Sequence, residues 1–152
     1  MAVTVNWSAL SSLTTYLATE LDALADSTTD TTGFSAVGAS IGSSTATTFN
    51  RYMALSFNVG TATASRTAGG FAAACISYAA DGTNYDSESD KAFSQIVATF
   101  PITATQSAYR MTKVNIPIPP LEFRMQMLND TGQPFTATGN MLKYMTYNEV
   151  IA

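Results

Sequence analysis

Asp81, Asp86, Glu88 and Asp90 fall within one stretch, "DGTNYDSESD", of a chain that is otherwise sparing with charge. Oxygen ligands this close together could hold a calcium ion, or they could decorate an exposed turn. A calcium loop of the EF-hand kind needs acids at alternate early positions, a glycine sixth and a glutamate twelfth. Here Gly82 comes second and no glutamate stands twelfth. The stretch therefore reads as a solvated hairpin loop, in which Asp81 turns the chain through its own carboxylate and Gly82 supplies a positive φ. No metal ligands are expected.

The other routes to chemistry close in the same way. The chain has no histidine, which removes the commonest general base and metal ligand and rules out serine–histidine and cysteine–histidine nucleophiles. Cys75, the only cysteine, lies in the apolar stretch "FAAACISYAA"; a thiol in such surroundings has little thiolate character and reads as core. No phosphate-binding glycine motif occurs, and "AGGFAAA" reads as a turn. Glycan hydrolysis needs two carboxylates facing each other across a cleft, whereas Asp86, Glu88 and Asp90 crowd one loop. No catalytic residue and no cofactor are expected.

Composition sets the wider bounds. The 152 residues suit one folded domain. Charged residues make up 12%, about half the usual share, and serine, threonine and asparagine take their place. A net charge of −4 with seven scattered basic residues argues against nucleic acid, because phosphate neutralisation needs clustered lysine and arginine. "MAVTVNW" has no basic start leading into an apolar run, so no secretory leader is expected. No apolar run is long enough to cross a membrane as a helix.

Three segments follow from the patterning. Residues 1–27 are read as an N-terminal arm, in which Trp7, Leu10, Leu13, Leu17, Leu21 and Leu24 recur at gaps of three and four behind a possible Asn6 cap. That spacing predicts an amphipathic helix, although its serines and threonines are weak helix formers. The stripe is the candidate interaction surface, resting either on its own domain or on a neighbouring subunit. Residues 28–48, rich in Thr, Ser, Gly and Ala, read as a tether anchored by Phe34, Val37 and Ile41.

Residues 49–152 change to period two. "RYMALSFNV", "FAAACISYA", "AFSQIVATFPI", "YRMTKVNIPI", "EFRMQMLND" and "NMLKYMTYNEV" are each bounded by turn residues. With no helical pattern between them, they predict an antiparallel β-sandwich or jelly roll. Pro117, Pro119 and Pro120 should end one strand at a sheet edge. Met111, Met125, Met127, Met141 and Met145 read as gap-filling core or as an adaptable contact surface between subunits.

Four stretches in the latter half of the chain carry a resemblance. Asp81–Tyr85 ("DGTNY"), Ile118–Phe123 ("IPPLEF"), Asn129–Gln133 ("NDTGQ") and Gly139–Glu149 ("GNMLKYMTYNE") together resemble a group of small tailed-bacteriophage virion structural proteins. The likeness runs from about Phe71 to the C-terminus and implies a virion-bound component, with jelly-roll cement proteins as the nearest architectural analogy. It carries over no catalytic residue. The expectation is a non-enzymatic capsid decoration protein, made in the host bacterial cytoplasm. It would be oligomeric and bound to the major capsid protein or other virion subunits, without nucleic acid or membrane. The alternative is a tail, fibre or baseplate module that contacts the host surface.

The loop reading has a direct test. Changing Asp86, Glu88 and Asp90 together to Asn, Gln and Asn should leave the melting temperature almost unchanged, with or without calcium. Calcium raising the wild-type melting temperature by several degrees, but not the variant's, would restore the metal site.

Overall fold

The alternation that begins at Tyr52 is realised as strands. In "YMALSFNV" the residues Met53, Leu55, Phe57 and Val59 are at most 1% exposed, as one face of a pleated strand must be when it covers a core. The computed structural model describes residues 5–26, 28–29, 50–79, 95–118 and 122–151. The strands are β1 (Val5–Trp7), β2 (Thr14–Leu17), β3 (Thr28–Thr29), β4 (Tyr52–Val59), β5 (Phe71–Ala79), β6 (Gln95–Pro101), β7 (Tyr109–Pro117), β8 (Glu122–Asp130), β9 (Met141–Tyr147) and β10 (Glu149–Ile151). The protein is mainly β, with two four-stranded antiparallel sheets of order β2-β9-β4-β7 and β3-β8-β5-β6, and a β1-β10 ribbon.

The pairing has a simple logic. β5 pairs with β6, β4 with β7, β3 with β8 and β2 with β9, all antiparallel. The chain is thus one long hairpin folded back between β5 and β6. Two further pairings, β4 with β9 and β5 with β8, join its arms into the two sheets.

One hydrophobic cluster draws on both sheets. The first gives Leu17, Leu55, Phe57, Ile116 and Leu142; the second gives Ala72, Ala74, Phe100, Phe123 and Met125. The alanines of β5 make room for large rings: Phe57 lies 5.4 Å from Phe100 and 5.6 Å from Phe135, centroid to centroid. On the opposite face of the second sheet, Cys75 is buried with Ala73 and Leu128 in a smaller cluster. Gln126, on the same face, is buried there too.

The N-terminal segment departs from expectation. Among the described residues there is no α-helix; residues 5–26 form β1, β2 and a single 3₁₀ turn at Thr19–Leu21. The leucine spacing loses to the hydroxyl residues between the leucines. Ser8 and Ser11 accept hydrogen bonds through Oγ from the backbone N–H groups of Asn148 and Thr146, each at 2.8 Å. In return their own N–H groups donate to the carbonyls of Asn148 and Thr146, at 2.8 and 3.1 Å. A neighbouring strand offers serine more than a helix does. Beyond that point β2 joins β9 and β3 joins β8; residues 30–48 of the expected tether lie outside the described residues.

Tyr16 supports the junction between the sheets. Its hydroxyl accepts the Met125 N–H at 3.1 Å, further along β8 from the Asn129 and Leu128 that pair with β3. Its ring packs edge-on against Tyr144.

The "NDTGQ" stretch is where the chain returns from β8 to β9, and amides hold it. Buried Asn129 donates from Nδ2 to the carbonyls of Leu24 and Gln133, both at 2.9 Å, and accepts at Oδ1 from the N–H and hydroxyl of Thr131. Gly132 adopts φ 77°, and a Cβ there would collide with Thr67, so glycine is required. Asn140 accepts the Gly60 N–H at 3.0 Å and donates to the Thr136 carbonyl at 2.8 Å.

The divided leucine stripe gives a prediction. Leu17→Ala should cost about 2–5 kcal/mol, as for a buried leucine, whereas Leu10→Ala should stay within about 0.5 kcal/mol. Urea unfolding of the two variants measures both; equal costs would mean that the leucines act as one stripe.

Candidate functional site

Among the described residues no group of three or more His, Cys, Asp or Glu side chains could hold a metal ion. The acidic run Asp81–Asp90 lies outside the described residues, as do Pro119 and Pro120. Buried Arg66 donates to the carbonyls of Gly60, Thr105 (2.8 Å) and Ser107 (3.3 Å). Its guanidinium lies 5.9 Å from the Tyr109 ring centroid. Desolvation lowers its pKa from the ordinary arginine value, and the charge interaction with Tyr109 acts the other way. It is a staple between two loops, bonded through Nη1 and Nη2 to their carbonyls.

The six residues of the candidate interaction stripe separate into two sets. Leu17 and Leu21 are wholly buried, and Leu24 packs partly buried against the same core. Trp7, Leu10 and Leu13 are exposed, at 56%, 61% and 40%. The second set faces solvent beside the outer surface of the β2-β9-β4-β7 sheet.

There a groove of about 440 Å³ is lined by Trp7, Leu10, Ala54, Val114, Met145 and Tyr147. Its floor comes from the strand positions opposite the core: Ala54 lies across from Met145, and Tyr52 across from Tyr147. Tyr52 and Tyr147 stack at 5.9 Å, and Trp7 packs edge-on against both, at 6.1 and 5.4 Å. Three rings in mutual edge and stacked contact form a rigid wall. The reciprocal bonds of Ser8 and Ser11 pin the chain between Trp7 and Leu10 to β9 and β10.

A β-bulge supplies the opposite wall. Between Met53 and Leu55 the register of β4 on β7 shifts, so that Ala54 opposes both Val114 and Asn115. Asn115 takes the left-handed conformation, φ 58°, which costs a side chain other than glycine some strain. Tyr147 supports it: the hydroxyl accepts the Asn115 N–H at 2.7 Å and donates to Asn115 Oδ1 at 2.8 Å. Val114 is thereby turned out to 61% exposure.

Sequence reasoning named Trp7 and Leu10 but missed Val114, Tyr147, Ala54 and Tyr52, and left Met145 undecided. A signal was present. In β7, Arg110 and Thr112 occupy the solvent parity and Val114 breaks it; in β9, Met145 and Tyr147 follow Lys143 on the same parity. Apolar residues clustered on a solvent-side parity mark contact surfaces more often than isolated ones do. Away from the groove the face turns polar: Arg110 donates from Nε to Asn58 Oδ1 at 2.9 Å, and Lys143 lies across from Ser56.

Tyr147→Phe removes both bonds to Asn115. It should destabilise the fold by roughly 1–2 kcal/mol in urea unfolding and alter the near-ultraviolet dichroism of the Trp7 cluster; an unchanged spectrum and midpoint would mean that the bulge stands without the tyrosine. No protein-family model and no curated protein matches this chain.

Proposed function

We propose that this chain is a non-enzymatic virion structural protein of a tailed bacteriophage, a jelly-roll decoration protein that binds and stabilises the major capsid lattice. The observation that carries the architectural part is the nested pairing of β2 with β9, β3 with β8, β4 with β7 and β5 with β6. Its distribution into sheets of order β2-β9-β4-β7 and β3-β8-β5-β6 supports an eight-stranded sandwich in which a folded ribbon wraps into two sheets. This architecture recurs in viral capsid and lectin domains. The virion assignment rests on the motif resemblance of the latter half of the chain.

The surface agrees with a protein that works by contact. Its polarity comes from hydroxyls and amides more than from charge, and an exposed apolar groove of this size marks an interaction surface. Such a protein needs major capsid protein or other virion subunits as partners and copies of itself as neighbours. It needs no cofactor, nucleic acid or membrane. It is made in the bacterial cytoplasm and ends on the particle. Trp7, exposed beside two tyrosines, favours one second reading: a tail, fibre or baseplate module whose aromatic groove contacts the host surface.

Copy number separates the two. Quantitative mass spectrometry of purified particles should find hundreds of copies per virion, and chain-free particles should lose heat stability. A handful of copies would transfer the protein to the tail, and its absence from particles would end both readings.

A further inference from the structure

Along β9, half-buried Lys143 and Met145 and buried Tyr147 share the outer parity of the β2-β9-β4-β7 sheet, and exposed Glu149 follows in β10. Glu149 lies directly across the β1-β10 ribbon from Trp7, and residues directly opposite in an antiparallel pair share one face. The face therefore runs from a cation, through an apolar middle, to a carboxylate. Arg51, exposed just before β4, has the parity of Met53 and Leu55 and so lies toward the other side of the sheet.

Lys143 and Glu149 stand three residues to either side of Thr146. A two-fold axis lying in the plane of the interface and crossing β9 at right angles at that point would bring a second copy face to face with the first. It would set Lys143 of one copy opposite Glu149 of the next, and the apolar groove opposite itself.

We infer that this face is a homodimer interface, occupied by a second copy of the chain with its β9 antiparallel to the first. Charge order argues for that occupant. The partner must carry the reverse sequence of cation, apolar patch and carboxylate, and the same face turned by a half rotation carries it. An isologous contact requires this kind of self-complementarity. Size argues likewise. Four strands about 4.8 Å apart, with up to nine residues of about 3.3 Å rise, span roughly 20 by 30 Å. With side-chain relief that approaches the roughly 800 Å² per partner of a stable specific interface. Leu10 and Val114, both 61% exposed, are the projecting groups that a facing groove would receive. The inference goes beyond the virion reading and stands or falls apart from it.

Sedimentation equilibrium of the full chain across micromolar concentrations tests it. The expected species has twice the 16.1 kDa chain mass. Val114→Glu, at an exposed position, should weaken the dimer roughly tenfold or more while leaving the melting temperature of the monomer unchanged. Lys143→Glu and Glu149→Lys should each weaken it several-fold, and the doubly exchanged chain should recover affinity, because the swap restores both cross-pairs. These two charge variants keep the proposal open to refutation should Val114→Glu not fold. A chain that is monomeric throughout, a Val114→Glu dimer of undiminished strength, or a double exchange weaker than either single one would each overturn the interface. A monomer that loses particle attachment with Val114→Glu would assign the face to a different protein and overturn it equally.

Discussion

Strand β9 is hydrogen bonded along both edges, to β2 on one side and to β4 on the other, and both surfaces of the first sheet depend on that double pairing. Inward, it places Leu142 in the core beside Leu17 and Leu55. Outward, it lines up Lys143, Met145 and Tyr147 as the floor beneath exposed Trp7, Leu10 and Val114. The contact is far from local: Thr15 and Met141, 126 residues apart, meet through Oγ1 and Sδ. Closing so long a loop costs conformational entropy that grows only slowly with length, and burying several large side chains, each worth about 1.5–3 kcal/mol, offsets it. The N-terminal strands therefore help to seal the core that the later strands begin.

A chain so poor in charge has to satisfy its loops by other means, and it uses amides. Asn129 and Asn140 each bond to backbone groups from more than one segment, tying residues 22–24, 60 and 131–136 together. A buried amide with its donors and acceptors matched fixes a loop without the desolvation cost of a buried ion pair. Arg66 is the charged counterpart, solvated by carbonyls. This gives two of the resemblance motifs a structural meaning: "NDTGQ" and the glycine–asparagine pair that opens "GNMLKY" are loop-building residues, chosen for turn geometry and hydrogen bonding.

The strands of the latter part were legible because alternation and turn residues agree there; "FAAACISYA" and "EFRMQMLND" coincide with β5 and β8. The N-terminal segment was not legible, for a physical reason. Gaps of three and four among six apolar residues satisfy a helix, yet the choice turned on a strand more than a hundred residues away that could accept Ser8 and Ser11. Local periodicity cannot register such a partner, and a tertiary pairing overrides a weak local propensity. The split of the stripe follows: Leu17 and Leu21 fill the core, while Trp7 and Leu10 are left outside. Half of the candidate surface was thus named in advance. The other half, Val114 and Tyr147, depends on a bulge whose position is set by cross-strand register rather than by the residues themselves.

How the molecule can associate is narrowed by its edges. β7 ends the first sheet, and Lys113, the left-handed Asn115 and the terminal Pro117 interrupt the row of groups that another strand would need. β6 ends the second sheet with a register shift opposite Ala74 and Cys75 and a proline at Pro101. At the other side, among the described residues, β2 has four residues and β3 two, and Tyr16 occupies the Met125 N–H of β8. Open-ended growth by edge pairing, the route to fibres, is blunted on all four counts. A self-complementary face, by contrast, closes on itself at two copies. The same bulge that breaks the β7 edge turns Val114 outward, so one irregularity disfavours unlimited strand addition and builds the surface through which limited association can occur.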